Sequence, residues 1–198
     1  MTTVAAAITI SLDGYVTGPN DGPGQGLGEG GERLHYWVFG GPWSYADGPK
    51  GEPVGADKEY LDGSMARAGA AVIGRNMYEA AGAWGGENPF GVPLLVVTHR
   101  PEDQPEEGGF AFVHGLDEAL ALAREASGGR DIVIGGGADV IRQALEAGAV
   151  DELSITIAPI ILGGGKRLFE GFETSMNLVQ VALLQSPFAT HITYRIDR

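Results

Sequence analysis

One stretch of this chain reads Asp131-Ile132-Val133-Ile134-Gly135-Gly136-Gly137-Ala138-Asp139-Val140-Ile141, a short apolar segment that runs into three glycines. Its pattern predicts a buried strand over residues 131–134 and a helix over residues 138–147. Because the first N–H groups of a helix have no partner within it and carry a partial positive charge, such a junction can hold a phosphate. The alternative is a tight strand-to-helix turn without a ligand. The glycine spacing matches neither the G-x-G-x-x-G fingerprint nor the G-x-x-x-x-G-K-[ST] loop.

On both sides of this stretch, short apolar segments alternate with helical ones. The pattern predicts strands over residues 70–73, 92–98, 109–114, 131–134 and 152–157, and helices over residues 57–68, 75–83, 116–126 and 138–147. Such alternation is typical of a parallel sheet covered by helices on both faces. Residues 178–184 and 191–196 flank Gln185-Ser186-Pro187-Phe188 and predict a hairpin. The sequence therefore predicts an α/β fold with three layers, α/β/α, and a mostly parallel mixed sheet closed by a C-terminal antiparallel hairpin.

The whole chain, residues 1–198, is predicted to form a single domain with a long loop rich in glycine and proline at about residues 18–55. Within this loop, residues 29–39 carry Leu34, Trp37 and Val38 at helical spacing and predict one short helix. Insertions of this length are usually lids or binding loops, although the composition of residues 20–28 fits a mobile linker equally well. We therefore expect the loop to shape a ligand pocket.

The composition excludes several classes of function. Acidic residues outnumber basic ones by 26 to 13, and the resulting net charge of −13 disfavours binding to nucleic acids and anionic membranes. The chain has no cysteine, and its four histidines, His35, His99, His114 and His191, lack the spacing of a metal site. The apolar residues 4–8 predict a first strand rather than a signal peptide. We expect a cytoplasmic protein with a small-molecule ligand and without metal, nucleic acid or membrane partners.

Polar residues follow other predicted strands as well. Gly74 and Arg75 come after residues 70–73, while His99 and Arg100 come after residues 92–98. Because the carboxyl ends of parallel strands meet at one edge of a sheet, these groups and the glycine turn together predict a ligand with several phosphates. Alternatively, Arg75 is an ordinary solvated arginine.

The first strand leads into Ser11-Leu12-Asp13-Gly14, in which a carboxylate stands next to a glycine. Asp13 either relays a proton or binds a polar substrate group, or it merely caps a turn.

Two weaker patterns also allow a functional and a structural interpretation. Trp37, Trp43 and Trp84 either stack on a flat heterocycle or pack within the protein. The basic turn at residues 163–167 either holds a substrate phosphate or is a solvated loop.

In their order and spacing, these motifs resemble the dihydrofolate reductase-like fold. More closely, they resemble stand-alone members of the branch formed by the reductase domain of bacterial riboflavin biosynthesis proteins. The resemblance spans essentially the whole chain and is carried by residues 11–14, 73–75, 134–137, 151–153, 158–159 and 162–165.

The resemblance implies NADPH as the cofactor. It assigns the pyrophosphate to the glycine turn, the 2′-phosphate to the ends of two other strands, and the nicotinamide to the first strand. The implied cofactor-binding residues are Ile8, Thr9, Gly74, Arg75, Asn76, Thr98, His99, Arg100, Gly135, Gly136, Gly137, Ala138 and Asp139. The resemblance also implies a cis peptide between Gly135 and Gly136, and a homodimer.

The implied activity is hydride transfer from NADPH to a small, heterocyclic, pteridine- or pyrimidine-like substrate. It would be similar to 5-amino-6-(5-phosphoribosylamino)uracil reductase or to dihydrofolate reductase. We expect Asp13 to be catalytic and Ser11 and Trp37 to bind the substrate. The segment with Glu29 and Glu32 offers no secure match to the acid with which folate enzymes grip the pterin, so folate itself is not expected. The alternatives are a non-catalytic nucleotide-binding module and glycine turns that are purely structural.

Overall fold

A computed structural model describes residues 2–197 of the chain. Its α-helices are α1 (Gly55–Arg67), α2 (Arg75–Ala80), α3 (Leu116–Ala126) and α4 (Ala138–Glu146). Its strands are β1 (Val4–Ser11), β2 (Tyr15–Thr17), β3 (Ala68–Gly74), β4 (Leu94–Val97), β5 (Phe110–Val113), β6 (Asp131–Ile134), β7 (Glu152–Ala158), β8 (Lys166–Arg167), β9 (Asn177–Gln185) and β10 (Thr190–Asp197).

Within residues 2–197, eight strands form the central sheet in the order β5-β4-β3-β6-β1-β7-β10-β9. Every neighbouring pair from β5 to β7 is parallel, while β10 runs antiparallel to both β7 and β9. The mostly parallel mixed sheet with its C-terminal antiparallel hairpin is therefore confirmed. The hairpin extends the sheet beyond β7, which leaves β9 as an edge strand.

Alternating side chains of β3 show why both faces of the sheet are covered. Ala70 and Val72 pack in one core cluster together with side chains of α3 and α4. Ala71 and Ile73 point to the opposite face, where Tyr78 of α2 packs against their cluster. Helix α1 lies on this second face as well, where its Tyr60 stacks on a side chain of β10. The three layers predicted from the sequence are thus present.

The helix α3 has the apolar stripe that the sequence predicts. Leu116, Ala119, Leu120 and Ala123 recur at helical spacing, and all are buried. No helix among residues 2–197 has both the length and the apolar character that crossing a membrane requires.

The long loop is held in place by its own backbone. The N–H of Gly18 donates to the carbonyl of Leu27 over 2.8 Å, and the N–H of Glu29 donates to the carbonyl of Pro19 over 2.8 Å. A Cβ atom at Gly18 would lie 2.1 Å from the carbonyl oxygen of Glu29, so only glycine permits this close approach. Because Trp43 Nε1 also donates to the carbonyl of Glu32 over 3.0 Å, the loop is a packed structure rather than an unattached linker.

Several local predictions are wrong in detail. The helix expected at residues 29–39 is a short 3-10 helix, Gly31–His35, followed by turns. The helix expected at residues 75–83 ends at Ala80, because Ala83 and Trp84 adopt left-handed backbone angles with φ of 51° and 49°. The strands β2 and β8, which pair with each other, were not predicted, since three and two residues are too few to show an alternating pattern.

Candidate functional site

A cleft of about 1220 Å³ follows the carboxyl edge of the parallel strands. It is lined by the ends of β1, β3, β4 and β6, by the start of α4, and by the long loop at residues 18–55. The lining includes nearly all of the residues expected to bind cofactor or substrate: Ile8, Thr9, Trp37, Gly74, Arg75, Asn76, Thr98, His99, Arg100, Gly135, Gly136, Gly137, Ala138 and Asp139. Strands far apart in the chain thus contribute to one site, as expected for a parallel sheet.

The glycine turn between β6 and α4 is fixed against the end of β3. The N–H of Gly135 donates to the carbonyl of Val72 over 3.0 Å, and the N–H of Gly74 donates to the carbonyl of Gly136 over 2.8 Å. The backbone of Gly136 has a φ of 117°, which strongly favours glycine. The cis peptide joins Gly136 to Gly137, so the position implied by the resemblance, between Gly135 and Gly136, is wrong by one residue.

All three glycines of the turn line the cleft, and a Cβ atom at Gly137 would meet nothing within 4 Å. A Cβ atom at Gly136 would lie 3.3 Å from Met77 Sδ and 3.8 Å from Ile8 Cδ1, so a side chain there would enter occupied space. In the part of the chain that the structure describes, no side chain caps the N-terminus of α4, which begins directly after Gly137. Asp139 in its first turn is paired with Arg142 over 2.6 Å, which offsets its negative charge. These features suit an anionic group.

At another part of the cleft, two arginines and two carboxylates form a closed cluster. Arg75 Nε lies 2.7 Å from Glu79 Oε1, and Arg75 Nη2 lies 3.3 Å from Asp103 Oδ2. Arg100 lies 3.6 Å from Glu79 and 3.4 Å from Asp103. We call Arg75, Arg100, Glu79 and Asp103 the arginine–carboxylate ring. The neighbouring Thr98 accepts a hydrogen bond from the backbone N–H of Arg100 over 3.1 Å, which fixes the end of β4.

A row of polar side chains crosses the sheet, and two of its three members line the cleft. Thr9 of β1 pairs in register with Thr156 of β7, and Thr156 pairs in register with His191 of β10, so the three side chains share one face. Thr156 Oγ1 lies 2.9 Å from His191 Nδ1, and His191 Nε2 lies 2.8 Å from Oδ1 of the buried Asp57. Trp37 Nε1 donates to Thr9 Oγ1 over 3.1 Å. We call Thr9, Thr156 and His191 the polar row.

Burial and hydrogen bonding define how this row is protonated. Both His191 and Asp57 are about 1% exposed, and burial lowers the pKa of His191 although the hydrogen bond to Asp57 opposes this shift. A neutral imidazole then donates its Nε2–H to the Asp57 carboxylate and accepts the hydroxyl hydrogen of Thr156 at Nδ1. Tyr60 stacks on the imidazole with ring centres 4.1 Å apart.

The sequence interpretation missed Asp57, His191 and Thr156. Asp57 stands on a helix with no clear apolar stripe, and His191 was considered only as a possible metal ligand. They lie 134 residues apart, and no local pattern connects them.

Aromatic side chains of the long loop form one wall of the cleft. Trp43 contacts Phe39 and Tyr45 edge-to-face, with ring centres 5.2 Å and 5.1 Å apart. Trp37 is 7% exposed and contacts His191 in the same manner at 4.9 Å. These rings line the cleft, so the loop does border the site as expected, and its wall suits a flat ring.

Ser11 and Asp13, which were expected at the substrate, are not among the residues that line the cleft. Ser11 Oγ donates to Asp13 Oδ1 over 2.7 Å, and it accepts from the N–H of Tyr15 over 2.9 Å. Asp13 also accepts from the N–H groups of Leu162, over 3.0 Å, and Gly163, over 2.8 Å. These hydrogen bonds, that from Ser11 above all, lower the pKa of Asp13 to about 2. The carboxylate therefore joins the turn after β1 to the loop after β7.

The basic turn lies at a further part of the cleft. Lys166 and Arg167 both line it, but Lys166 is paired with Asp21 over 2.6 Å and Arg167 covers the ring of Tyr15 at 4.5 Å. Their positive charges are thus already engaged by neighbouring side chains.

Buried histidines make the stability of the fold dependent on pH. Burial lowers the pKa of His35 to about 4, and burial lowers the pKa of His191 as well. An unfolded histidine takes up its proton near pH 6.5, so well above that value the contribution of these two histidines to the free energy of unfolding does not change with pH. Below it, stability falls by up to about 1.4 kcal/mol per pH unit for each such histidine. Urea unfolding between about pH 7.5 and pH 4.5 measures this slope. It should become shallower in His35→Gln, and an unchanged slope would contradict the assignment to His35.

Comparisons with known proteins agree with this architecture. Two Bacillus subtilis relatives carry the names uncharacterized protein YwjB and uncharacterized protein YyaP. YwjB is 27% identical over 109 residues, which are 54% of this chain and 63% of that protein. YyaP is 42% identical over 66 residues, which are 33% of this chain and 34% of that protein. The chain thus spans less than two thirds of the length of either relative.

Solved structures share the fold across nearly the whole chain. A putative riboflavin biosynthesis protein from Shewanella sp. PV-4 matches with a TM-score of 0.71 and 24% identity, covering 100% of both chains. A pyrimidine reductase-like protein from Corynebacterium diphtheriae matches with a TM-score of 0.62 and 20% identity, covering 100% of this chain and 92% of that one. Dihydrofolate reductase from Enterococcus faecalis, complexed with NADP(H) and RAB-propyl, matches with a TM-score of 0.59 and 17% identity, covering 99% of this chain and 97% of that one.

The family model described as RibD C-terminal domain matches residues 2–188. The dihydrofolate reductase-like fold predicted from the sequence is confirmed by the structural neighbours. Because the family model accounts for nearly the whole chain, the chain belongs to the RibD C-terminal domain family.

Proposed function

We propose that this protein is an NADPH-dependent oxidoreductase that transfers a hydride to a small, heterocyclic, pteridine- or pyrimidine-like substrate. One observation carries the proposal: the glycine turn, the arginines at the strand ends and an aromatic wall all line a single cleft. Membership of a reductase-domain family supports the same assignment. The cleft volume of about 1220 Å³ is large enough for a dinucleotide and a second small ring.

The residues present fit a dinucleotide. A Cβ atom at Gly137 would meet nothing within 4 Å, and the uncapped start of α4 offers N–H groups to a pyrophosphate. Arg75 and Arg100, with Thr98 and His99 beside them, are candidates for the 2′-phosphate. The full proposed set is Ile8, Thr9, Gly74, Arg75, Asn76, Thr98, His99, Arg100, Gly135, Gly136, Gly137, Ala138 and Asp139.

Bound NADPH supplies the hydride, and the protein supplies binding, orientation and exclusion of water. Trp37 closes the aromatic wall, and its hydrogen bond to Thr9 fixes both side chains beside the proposed nicotinamide position. Ser11 and Asp13 have no role at the substrate in this proposal, because their polar atoms are engaged in the turn after β1.

Calorimetric titration with NADPH and NADH tests the cofactor assignment. We expect micromolar binding of NADPH and at least about ten-fold weaker binding of NADH, because the 2′-phosphate gains charge-assisted hydrogen bonds to arginine. Arg75→Gln should remove most of this preference. If the wild-type protein binds neither nucleotide, the proposed function is wrong.

A non-catalytic nucleotide-binding module is the second candidate, since the same phosphate site would serve it. The two candidate functions are distinguished by an assay in which the protein is incubated with NADPH and a series of pteridines and pyrimidines. The loss of NADPH absorbance is followed over time. Oxidation that depends on both protein and substrate supports the reductase. Binding without turnover of any compound supports the module.

The exposed edge strand β9 supports the proposal that the protein forms a homodimer. Four apolar side chains of this strand, Leu178, Val179, Val181 and Leu183, are 40%, 39%, 50% and 53% exposed. A bulge shifts the register between Ala182 and Gln180, so Val179 and Leu183 lie on opposite faces of the strand. Exposed apolar clusters of this kind usually mark an interface. We expect light scattering to give the mass of a dimer for the wild type and of a monomer for a Val181→Glu, Leu183→Glu double variant, while Leu122→Glu on α3 stays dimeric. A monomeric wild type would contradict the proposal.

A further inference from the structure

The arginine–carboxylate ring is complete without any ligand. Each arginine contacts both carboxylates, at distances between 2.7 Å and 3.6 Å. Two positive and two negative charges cancel, so the part of the cleft that contains the arginines has no net charge from this ring. Glu79 and Asp103 each contact both arginines through a single carboxylate oxygen. A phosphate oxygen would accept the same charge-assisted hydrogen bonds, so the two carboxylates take the place of an anion here.

Arg75 is the better buried of the two arginines, with a side chain 19% exposed against 60% for Arg100. Its guanidinium also lies over the ring of Phe112 at 4.9 Å, which limits how it can turn. Among residues 2–197, Arg75 Nη1 finds no hydrogen-bond acceptor although it is buried. The ring thus holds Arg75 in position, but Nη1 of its guanidinium has no hydrogen-bond acceptor among the described residues.

Asp103 differs from the other members of the ring. Arg75, Arg100 and Glu79 line the cleft, whereas Asp103 approaches from the 3-10 helix Pro101–Asp103 and does not line it. Its contact with Arg75 is 3.3 Å long, against 2.7 Å for the contact of Glu79 with Arg75. Asp103 is therefore the carboxylate that an incoming anion can displace at least cost.

We propose that Asp103 and Glu79 are specificity-determining residues that compete with a phosphate monoester for Arg75 and Arg100, and so limit the affinity for NADPH relative to NADH. This inference rests on the proposed function, since it concerns the same site. A bound phosphate must take over hydrogen bonds that the carboxylates now accept, and it must approach two negative charges. NADH carries no phosphate at this position, and its affinity does not depend on this exchange.

Neutral replacements of the carboxylates test the proposal. In Asp103→Asn, one carboxylate is lost and the ring gains a net positive charge, so we expect NADPH and adenosine 2′,5′-bisphosphate to bind about ten-fold more tightly. Glu79→Gln should act in the same direction. The affinities for NADH and adenosine 5′-monophosphate should stay unchanged within about two-fold in both variants.

Glu102→Gln is the matched control. It removes the same formal charge from the neighbouring residue, and its exposed side chain is not a member of the ring. We expect less than about a two-fold effect on NADPH, because an exposed charge at that distance is screened by solvent and salt. Circular dichroism of each variant verifies that the fold is kept.

The outcomes separate this inference from the proposed function. Tighter binding of both 2′-phosphorylated ligands to Asp103→Asn, and not to Glu102→Gln, supports competition. Unchanged or weaker NADPH binding in Asp103→Asn, with a wild type that binds NADPH, overturns the inference and leaves the proposed function intact. Equal gains in Asp103→Asn and Glu102→Gln also overturn it, since the effect is then one of general charge. If no protein binds NADPH, the proposed function fails and the inference fails with it.

Discussion

Gly136→Leu is expected to lose NADPH binding by at least about 100-fold while the chain stays folded. The new side chain would start 3.3 Å from Met77 Sδ and 3.8 Å from Ile8 Cδ1, and it would extend into the cleft at the proposed pyrophosphate position. Met77 is flexible and can yield, but a φ of 117° strains any side-chain-bearing residue by about 1–2 kcal/mol or more. That strain is smaller than the stability of an ordinary domain. Calorimetry gives the affinity and thermal unfolding gives the stability.

Gly129→Leu serves as the control for backbone strain. Gly129 has a φ of 83°, a Cβ atom added there would meet nothing within 4 Å, and the residue does not line the cleft. It should lose stability as Gly136→Leu does, and it should bind NADPH like the wild type. If Gly136→Leu is folded and still binds NADPH, the glycine turn is structural and the phosphate assignment is wrong.

The second large effect is expected from His191→Leu, which should destabilise the protein by about 3–5 kcal/mol. The variant leaves the carboxylate of Asp57 buried at about 1% exposure without the hydrogen bond from His191 Nε2. It also removes the acceptor of the Thr156 hydroxyl and the ring on which Tyr60 stacks. The midpoint of urea unfolding at about pH 7 measures the loss.

Two further variants show that the uncompensated carboxylate is the cause. Adding Asp57→Leu to His191→Leu should restore part of the stability, because an apolar pair leaves no buried charge behind. His114→Leu replaces an exposed histidine and should change stability by less than about 0.5 kcal/mol. A loss below about 1 kcal/mol in His191→Leu would show that water or another group satisfies Asp57.

The polar row also connects the buried His191 to the cleft. Thr156 contacts His191, and Thr9 pairs with Thr156 in register. Trp37 of the aromatic wall donates to Thr9. Each hydrogen bond of the network joins two different parts of the fold: β7 with β10, β10 with α1, and the long loop with β1.

Local sequence patterns were sufficient for the order of the elements. Apolar segments, amphipathic spacing as in α3, and the glycines after residue 134 are properties of neighbouring residues, and the structure has strands and helices where they indicate them. Because parallel strands bring their carboxyl ends to one edge, the residues after β3, β4 and β6 were also expected at one site, and they line one cleft.

Patterns that depend on two or three residues were less informative. The strands β2 and β8 are too short to show periodicity, and the positive φ of Ala83 and Trp84 ends a helix that the sequence would continue. Asp13 was expected to be catalytic, with a cap of the turn as the alternative. Its hydrogen bonds to the N–H groups of Leu162 and Gly163, 149 and 150 residues away, engage the carboxylate in the turn.

Residue order alone was therefore enough to predict the α/β class, the glycine turn and the strand ends that meet at the cleft, because these follow from short-range periodicity and from the topology of parallel strands. The fold family and the expected cofactor-binding residues came from the resemblance of the motifs to a known family. Which polar groups meet became known only from the folded chain: Asp57 with His191, and Asp103 with Arg75. Such pairs are selected by strand register and helix placement across the sheet, and a buried charge is satisfied by whichever partner the packing brings within hydrogen-bond distance. That information is absent from the spacing of residues along the chain.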